Sequence, residues 1–519
     1  MGQRPEAVDS PPWNADRLGR LLASTYGRQR AIVIANREPC RHDRASDGRI
    51  EVTRSASGLV TALEPVVQAC AGVWVAHGCG SADRQVVDAA SGVDVPQVEP
   101  TYRLRRVWLA EHEYQGYYEG FANEGLWPLC HRVDVRPTFR LSDFAMYKVA
   151  NARFAAAACD EANSASPLVL VQDYHFALVP RMIRARLPRS TIVSFWHVPW
   201  PDPAAFATCP CGVDLLEGLL GSTVVGFQTV EDGDRFLDAV ECWTGADVDR
   251  DQGAVTFEGR RTIVRAYPIS IESPSRWTRS APPIDTCRTS VRRRLGIPLD
   301  VPLVAGVDRL DYTKGLLEKC LAIERLLDRE PAYRERLVLV QIAEPSRSSL
   351  PAYREYRSRV LAAVSQVNDR FGCADYRPIV WLERHHEPSD IFELFRAADV
   401  CYVGSLHDGM NLVAKEFVDA RSDERGVLVL SRHTGAARQL AAAVLIDPYD
   451  VDGTATRLLG ALRMGESEQS RQMRAMREVL ATSNLYSWAG QMLQDAAPDR
   501  TVDTVQAAIA SRPPHQLSV

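Results

Sequence analysis

PLVAGVDRLDYTKGLLEKCLAIERLLDR, residues 302–329, is the stretch from which the fold can be read. It opens with an apolar run, Pro302-Leu-Val-Ala-Gly306, of the kind expected for a parallel strand covered on both faces. Residues 315–329 then adopt the spacing of an amphipathic helix. The segment 306–315 follows the strand and opens the helix, so Arg309 and Lys314 stand five apart on one loop. Two cations and the amides of a helix start can converge there on one anion, as a departing nucleotide diphosphate requires. On its own the pair reads equally well as two solvated surface cations.

The same strand look recurs at residues 31–35, 167–171, 191–195, 337–341, 400–403 and 426–430, with a further helical pattern at 388–398. Strands alternating with helices predict α/β architecture. The Pro- and Ser-rich segment SPSRWTRSAPPID, 273–285, predicts a break. The expected organisation is a tail over 1–28, one Rossmann-like domain over 29–275, a second over 276–490 and a tail over 491–519. Two doubly wound domains facing each other leave a cleft at the carboxyl ends of their strands, where ligands of such sheets bind.

A length of 519 residues suits two domains, and 46% hydrophobic with 24% charged residues is a globular composition. A net charge of −5 argues against general nucleic-acid binding. The twelve cysteines include no C-x-x-C pair, so no metal is expected and reduced thiols are the plain reading. The first thirty residues lack an apolar signal core, and no run is long enough to span a membrane, which predicts a cytoplasmic protein. Homo-oligomerisation is left open.

Two further elements carry chemistry. In HDGMNLVAKE, 407–416, Asp408 and Gly409 form a turn after a strand; Asp408 can accept from sugar hydroxyls and Glu416 from a ribose. The plain reading is an N-cap Asp followed by a surface Glu. In QDYH, 172–175, and FWHVPWP, 195–201, Asp173 and His197 each follow an apolar strand and can meet one sugar. Pro199 and Pro201 shape that second loop.

With these segments in place, DRLDYTKG, HDGMNLVAKE, QDYHFALVPR, WHVPWP, YYEGFANEGLWPLCH, GVLVLS and DPYDVDG resemble, in order, the signature blocks of the trehalose-6-phosphate synthase family across about residues 31–485. The resemblance implies a GT-B fold and a retaining glucosyltransferase. It implies no cofactor and no metal, only a nucleotide-diphosphate glucose and a phosphorylated acceptor as substrates. It implies that Arg309 and Lys314 hold the diphosphate and Glu416 the ribose. The glucose would meet His197, Asp408 and the backbone of Gly409, Met410 and Asn411, with Gly58, Leu412 and Val413 also on the donor side. Arg37, His77, Tyr118, Trp127 and Arg347 would line the acceptor pocket, with Asp173 by the acceptor hydroxyl. No protein nucleophile is then needed: the acceptor attacks the face the diphosphate leaves, and the donor phosphate takes the proton.

Three positions depart from the family's pattern: Ser57 for the first glycine of a G-G-L block, His77 for a tryptophan, and His407 for an arginine. Two of these border the sugar sites, so acceptor identity is what they open. NREP, 36–39, is similar to glucosylglycerol-phosphate synthases, whose acceptor is glycerol 3-phosphate. A maker of an unusual pseudo-disaccharide and a non-catalytic sugar-phosphate sensor are the other readings. The nucleotide, whether UDP, ADP or GDP, is not legible. DVDGT, 450–454, looks like a phosphatase start but lacks a strand directly before it, and Asp247-Val-Asp249 reads as a polar loop.

Overall fold

In a computed structural model, which describes residues 12–27, 29–54 and 58–498, the apolar runs form two separate sheets. The C-terminal sheet has the order Ile379–Leu382, Val338–Glu344, Leu303–Arg309, Val400–Val403, Val427–Ser431, Val444–Ile446. All its pairings are parallel. Numbered along the chain the order is 3-2-1-4-5-6, that of a dinucleotide-binding domain. Its central strands are rich in valine and leucine and buried on both faces, which is why they read as continuous rather than alternating runs.

The N-terminal sheet is parallel over seven strands, from Arg260–Ala266 through Val224–Phe227, Thr191–Phe195, Leu168–Gln172, Ile32–Ile34 and Val73–His77 to Tyr102–Val107. Antiparallel strands close both edges. One of them is Asp247–Asp249, so the segment expected as a polar loop is an edge strand, its two carboxylates exposed on either side of Val248.

Each sheet has one place where the strand order reverses. In the N-terminal sheet it lies between Ile32–Ile34 and Leu168–Gln172, from which Arg37 and Asp173 emerge. In the C-terminal sheet it lies between Leu303–Arg309 and Val400–Val403, from which Lys314 and Asp408 emerge. The two reversals face each other.

The segment expected as a break contains a short helix, Arg276–Ser280. It is tied to the C-terminal body where Ser273 Oγ donates to Asp419 at 2.7 Å and Ser275 N at 3.1 Å. The first and last described helices are joined too. Helix Ala15–Tyr26 lies within the segment read as a leading tail, and Leu485–Asp495 crosses back to meet it. Tyr26 OH donates to Leu493 O at 2.6 Å and Asn484 Nδ2 to Trp13 O at 2.9 Å. Trp488 packs edge-on to Phe195 at 5.1 Å, so this last helix covers the N-terminal sheet. Asp450, the first residue of the phosphatase-like motif, caps helix Val451–Leu462 by accepting from Gly453 N at 2.8 Å.

Candidate active site

A cleft of about 390 Å³ opens between the sheet reversals. Its C-terminal wall begins with Arg309, the last residue of its strand, and Lys314, at the end of a tight turn. Gly315 then starts the helix at φ 64°, where a Cβ would sit 2.0 Å from Gly404 O; only glycine lets the turn lie so close to the next strand's exit.

Lys314 Nζ donates to Asp408 Oδ2 at 2.5 Å. Asn411 Nδ2 donates to the same oxygen at 3.1 Å and Ser405 Oγ at 3.3 Å. Burial raises the Asp408 carboxyl, but the Lys314 ammonium and these donors outweigh it and hold it below the ordinary range. Asn411 takes the left-handed conformation, φ 76°, and its side chain caps the next helix by accepting from Ala414 N at 3.2 Å. That helix carries Leu412, Val413 and Glu416 along the cleft, opposite Gly58. Burial and then the Asp419 charge push the Glu416 carboxyl up to about 7.

Arg309 and Arg347 share a partner that the sequence reading passed over. Asp311 is fully buried, its Oδ2 lying 3.2 Å from Arg347 Nη1 and 3.5 Å from Arg309 Nη2. Burial raises its carboxyl, but Arg309, Arg347 and Lys314 together bring it down to about 2. Asp311 is thus ionised at neutral pH and holds the cations together before any ligand arrives. Its sequence signal was its place between Arg309 and Lys314 in DRLDYTKG.

The N-terminal wall is aromatic. The helix through Gln115–Leu126 widens to i→i+5 hydrogen bonding and brings Tyr118 and, just past its end, Trp127 to the cleft. Arg347 crosses from the C-terminal sheet, donates to Tyr174 OH at 3.1 Å and stacks 4.0 Å above the Trp127 ring. Burial raises Tyr118, yet Arg347, Arg37 and Arg309, which line the same cleft, outweigh it and lower its hydroxyl pKa. Trp127 Nε1, Arg347 Nε and His175 Nε2 are buried without hydrogen-bond partners among the described residues. Orphans of that kind lining one cleft mark a place where a ligand completes the bonding. His175, also missed, lay inside the QDYH block but carried no signal separating it from a core histidine.

Asp173 sits at φ 77° with Oδ1 accepting from Tyr174 N at 3.0 Å and His197 N at 3.2 Å. Burial lifts its carboxyl to about 6 in spite of those amides. His197 donates Nε2–H to Gln172 Oε1 at 2.9 Å, and burial lowers it to about 3, so the ring is neutral.

All but two of the expected site residues line this cleft. His77 does not: its Nδ1–H donates to Val107 O at 3.2 Å, and its ring stacks at 4.9 Å on Tyr114, which stacks on Tyr118 at 5.0 Å. It stands behind the pocket wall rather than in it, because its strand ends where the wide helix covers it. Gly409 is the other. A Cβ there would lie 2.2 Å from His197 O, so this glycine lets the two bodies touch. His407, the residue standing where the family's pattern has an arginine, donates Nδ1–H to His131 O at 2.8 Å and faces away from the cleft. Ser57 lies outside the described residues. Among the described residues no cluster of metal-ligating side chains occurs, and no helix is long and apolar enough to cross a membrane.

The model of glycosyltransferase family 20 matches residues 29–498. The trehalose-6-phosphate synthase of Mycobacterium avium (strain 104) is 38% identical over 483 residues, covering 91% of this chain and 96% of that protein. A solved E. coli structure bound with UDP-2-fluoro glucose superposes with a TM-score of 0.79 at 29% identity, covering 90% of this chain and 99% of that one. A UDP-forming α,α-trehalose-phosphate synthase from Burkholderia xenovorans, in complex with glucose-6-phosphate, gives 0.78 at 30% identity over 90% and 100%.

Proposed function

The chain belongs to glycosyltransferase family 20, and from that premise we propose that it moves glucose from UDP-glucose to glucose 6-phosphate with retention, forming trehalose 6-phosphate. The observation that carries this reading is that Arg37, Arg309 and Arg347 line one cleft, the last two over the Trp127 ring at 5.1 and 4.0 Å, beside the Lys314–Asp408 pair, giving room for two anions at one cleft. A nucleotide diphosphate is one and a sugar phosphate the other.

In this reading Arg309 and Lys314 hold the diphosphate, Glu416 the ribose, and Asp408 with the 409–411 backbone the transferred glucose. Gly58, Leu412 and Val413 complete the donor side. Arg347, Arg37, Tyr118 and Trp127 take the acceptor phosphate and ring, and His77 acts only through the stack behind them. As the glycosidic bond to the diphosphate breaks, negative charge grows on the leaving oxygen, and preorganised cations stabilise it without reorganising. The neutral His197 adds a polar edge beside the glucose. The acceptor hydroxyl enters on the departing face and its proton passes to the donor phosphate, with Asp173 orienting that hydroxyl. No metal or further cofactor enters this scheme. The division into bodies at 29–275 and 276–490 and a cytoplasmic location belong to the same proposal.

Nucleotide release tests it, with UDP-, ADP- and GDP-glucose each paired with glucose 6-phosphate and glycerol 3-phosphate. Turnover is expected with UDP-glucose and glucose 6-phosphate. Turnover only with glycerol 3-phosphate, or none in any pairing, overturns the proposal.

A further inference from the structure

A second cavity, of about 320 Å³, lies on the far side of the 406–411 loop from the cleft. Such a volume suits a small metabolite. Both bodies build it: His131, Arg132 and Arg235 from one, His407, Arg432 and Arg438 from the other. Of its lining, only Asp408 and Gly409 enter the transfer scheme, and the arginines and histidines named here do not.

Its charges do not balance locally. Glu231 is shared by Arg235 and Arg438, the latter at 2.6 Å, and Arg132 is paired with Asp202. The Asp232 carboxylate is turned inward, accepting from Trp200 N at 2.9 Å and Thr229 Oγ1 at 2.6 Å. Arg432 has no side-chain partner among the described residues. Arg432 is therefore the lining guanidinium left without a carboxylate among the described residues, and guanidiniums match phosphate oxygens in geometry as well as charge.

The floor is of another kind. His131 and His407 each donate Nδ1–H to a carbonyl, Trp127 O at 2.9 Å and His131 O at 2.8 Å. Burial lowers both rings, His131 to about 3, so both are neutral and each Nε2 is an acceptor without a donor among the described residues. Acceptors of that kind suit hydroxyls, not a bare anion. The arginine expected at position 407 would have supplied another cation instead.

We infer that this cavity is a second binding site, separate from the substrates' cleft, for a small phosphorylated polyol whose phosphate meets Arg432 and whose hydroxyls meet the two histidines. Because the ligand touches both bodies, binding favours their apposition. It also bears on the donor side, because the wall it shares with the cleft is His131 and Asp408, and Asp408 holds Lys314. Coupling between the two sites is then reciprocal.

Titration calorimetry on the full chain tests this without turnover, so its failure is distinguishable from failure of the glucosyl-transfer reading. Fructose 6-phosphate is titrated with UDP saturating, into Arg37→Ala, which weakens the acceptor pocket, and into Arg37→Ala with Arg432→Glu. One saturable site is expected in the first, weakened by about tenfold or more in the second. Inorganic phosphate should bind the first variant more weakly than the sugar phosphate, and UDP should bind it several-fold tighter once fructose 6-phosphate is present. Binding that disappears with Arg37→Ala alone, or survives Arg432→Glu unchanged, assigns the sugar phosphate to the cleft and overturns the inference. Equal affinity for inorganic phosphate overturns the hydroxyl contacts, and an unchanged UDP affinity overturns the coupling. Arg432 is exposed, so the charge reversal leaves the fold intact.

Discussion

The two walls of the cleft are built on different physics. On the C-terminal wall, short polar contacts converge on single oxygens: Lys314, Asn411 and Ser405 on Asp408 Oδ2, Arg347 and Arg309 on Asp311 Oδ2. The N-terminal wall is a column of rings, in which His77, Tyr114, Tyr118 and His175 stack at successive centroid distances of 4.9, 5.0 and 5.5 Å. Paired charges are geometrically demanding and hold a fixed group such as a diphosphate. A ring column is set by shape, and a change at its far end is transmitted by packing rather than by charge. The donor wall should therefore govern rate, and the acceptor wall selectivity.

The strongest test of that contrast is Lys314→Ala. It should lower kcat by about a hundredfold or more, whichever acceptor is supplied, and because Asp408 is left buried without its cation the thermal midpoint should fall as well. A loss confined to one acceptor would break the contrast.

Next in size is Gly409→Val, at the contact between the walls. The added Cβ, 2.2 Å from His197 O, must push the bodies apart. kcat/KM should fall by up to about a hundredfold for a displacement near 1 Å, and scattering should show a more open particle. Unchanged scattering with lost activity would place the effect inside one wall.

Glu416→Gln gives a smaller, pH-dependent effect. With its carboxyl pushed up to about 7, Glu416 gains charge as pH rises through neutrality, and only the carboxylate accepts two ribose hydroxyls. Donor KM in the unaltered protein should fall as pH rises through about 7; the glutamine variant should lose that slope and show a KM about tenfold higher on the alkaline side. The stability sign runs the other way. A raised folded-state value means stability that is full below the unfolded value and lost as pH rises through about 7.

The smallest effect is expected of His77→Trp, at the outer end of the ring column. Acceptor KM should change several-fold, on the order of 1 kcal/mol, while donor KM stays as it was. A matching change in donor KM would show that the walls are not separable.

Much of this was legible beforehand because it rests on local pattern. The runs at 191–195 and 400–403 coincide with their strands, and 315–329 becomes helix Leu316–Arg329. Arg309, Lys314, Asp408 and Glu416 stood out because cations and carboxylates at strand ends are legible by type and spacing. Asp247–Asp249 was read as a loop because an exposed edge strand can be as polar as one. Asp311 stayed hidden because its role depends on Arg347, thirty-six residues on, reaching back to it. His77 was placed in the pocket by the family resemblance, which aligns its position with a tryptophan but does not say what covers the end of this strand.

Residue order alone determined the α/β class, the most apolar of the sheet strands and the chemistry carried by their ends, since periodicity and residue type are local properties. Less apolar strands such as Arg260–Ala266 and Asp247–Asp249 were not legible. Tertiary structure decided which strand ends face one another, that the last helix returns to the first sheet, and that His407 and Arg432 border a second cavity. Those depend on contacts between segments far apart in the chain, where a few ångströms of packing separate a side chain in a site from one behind it.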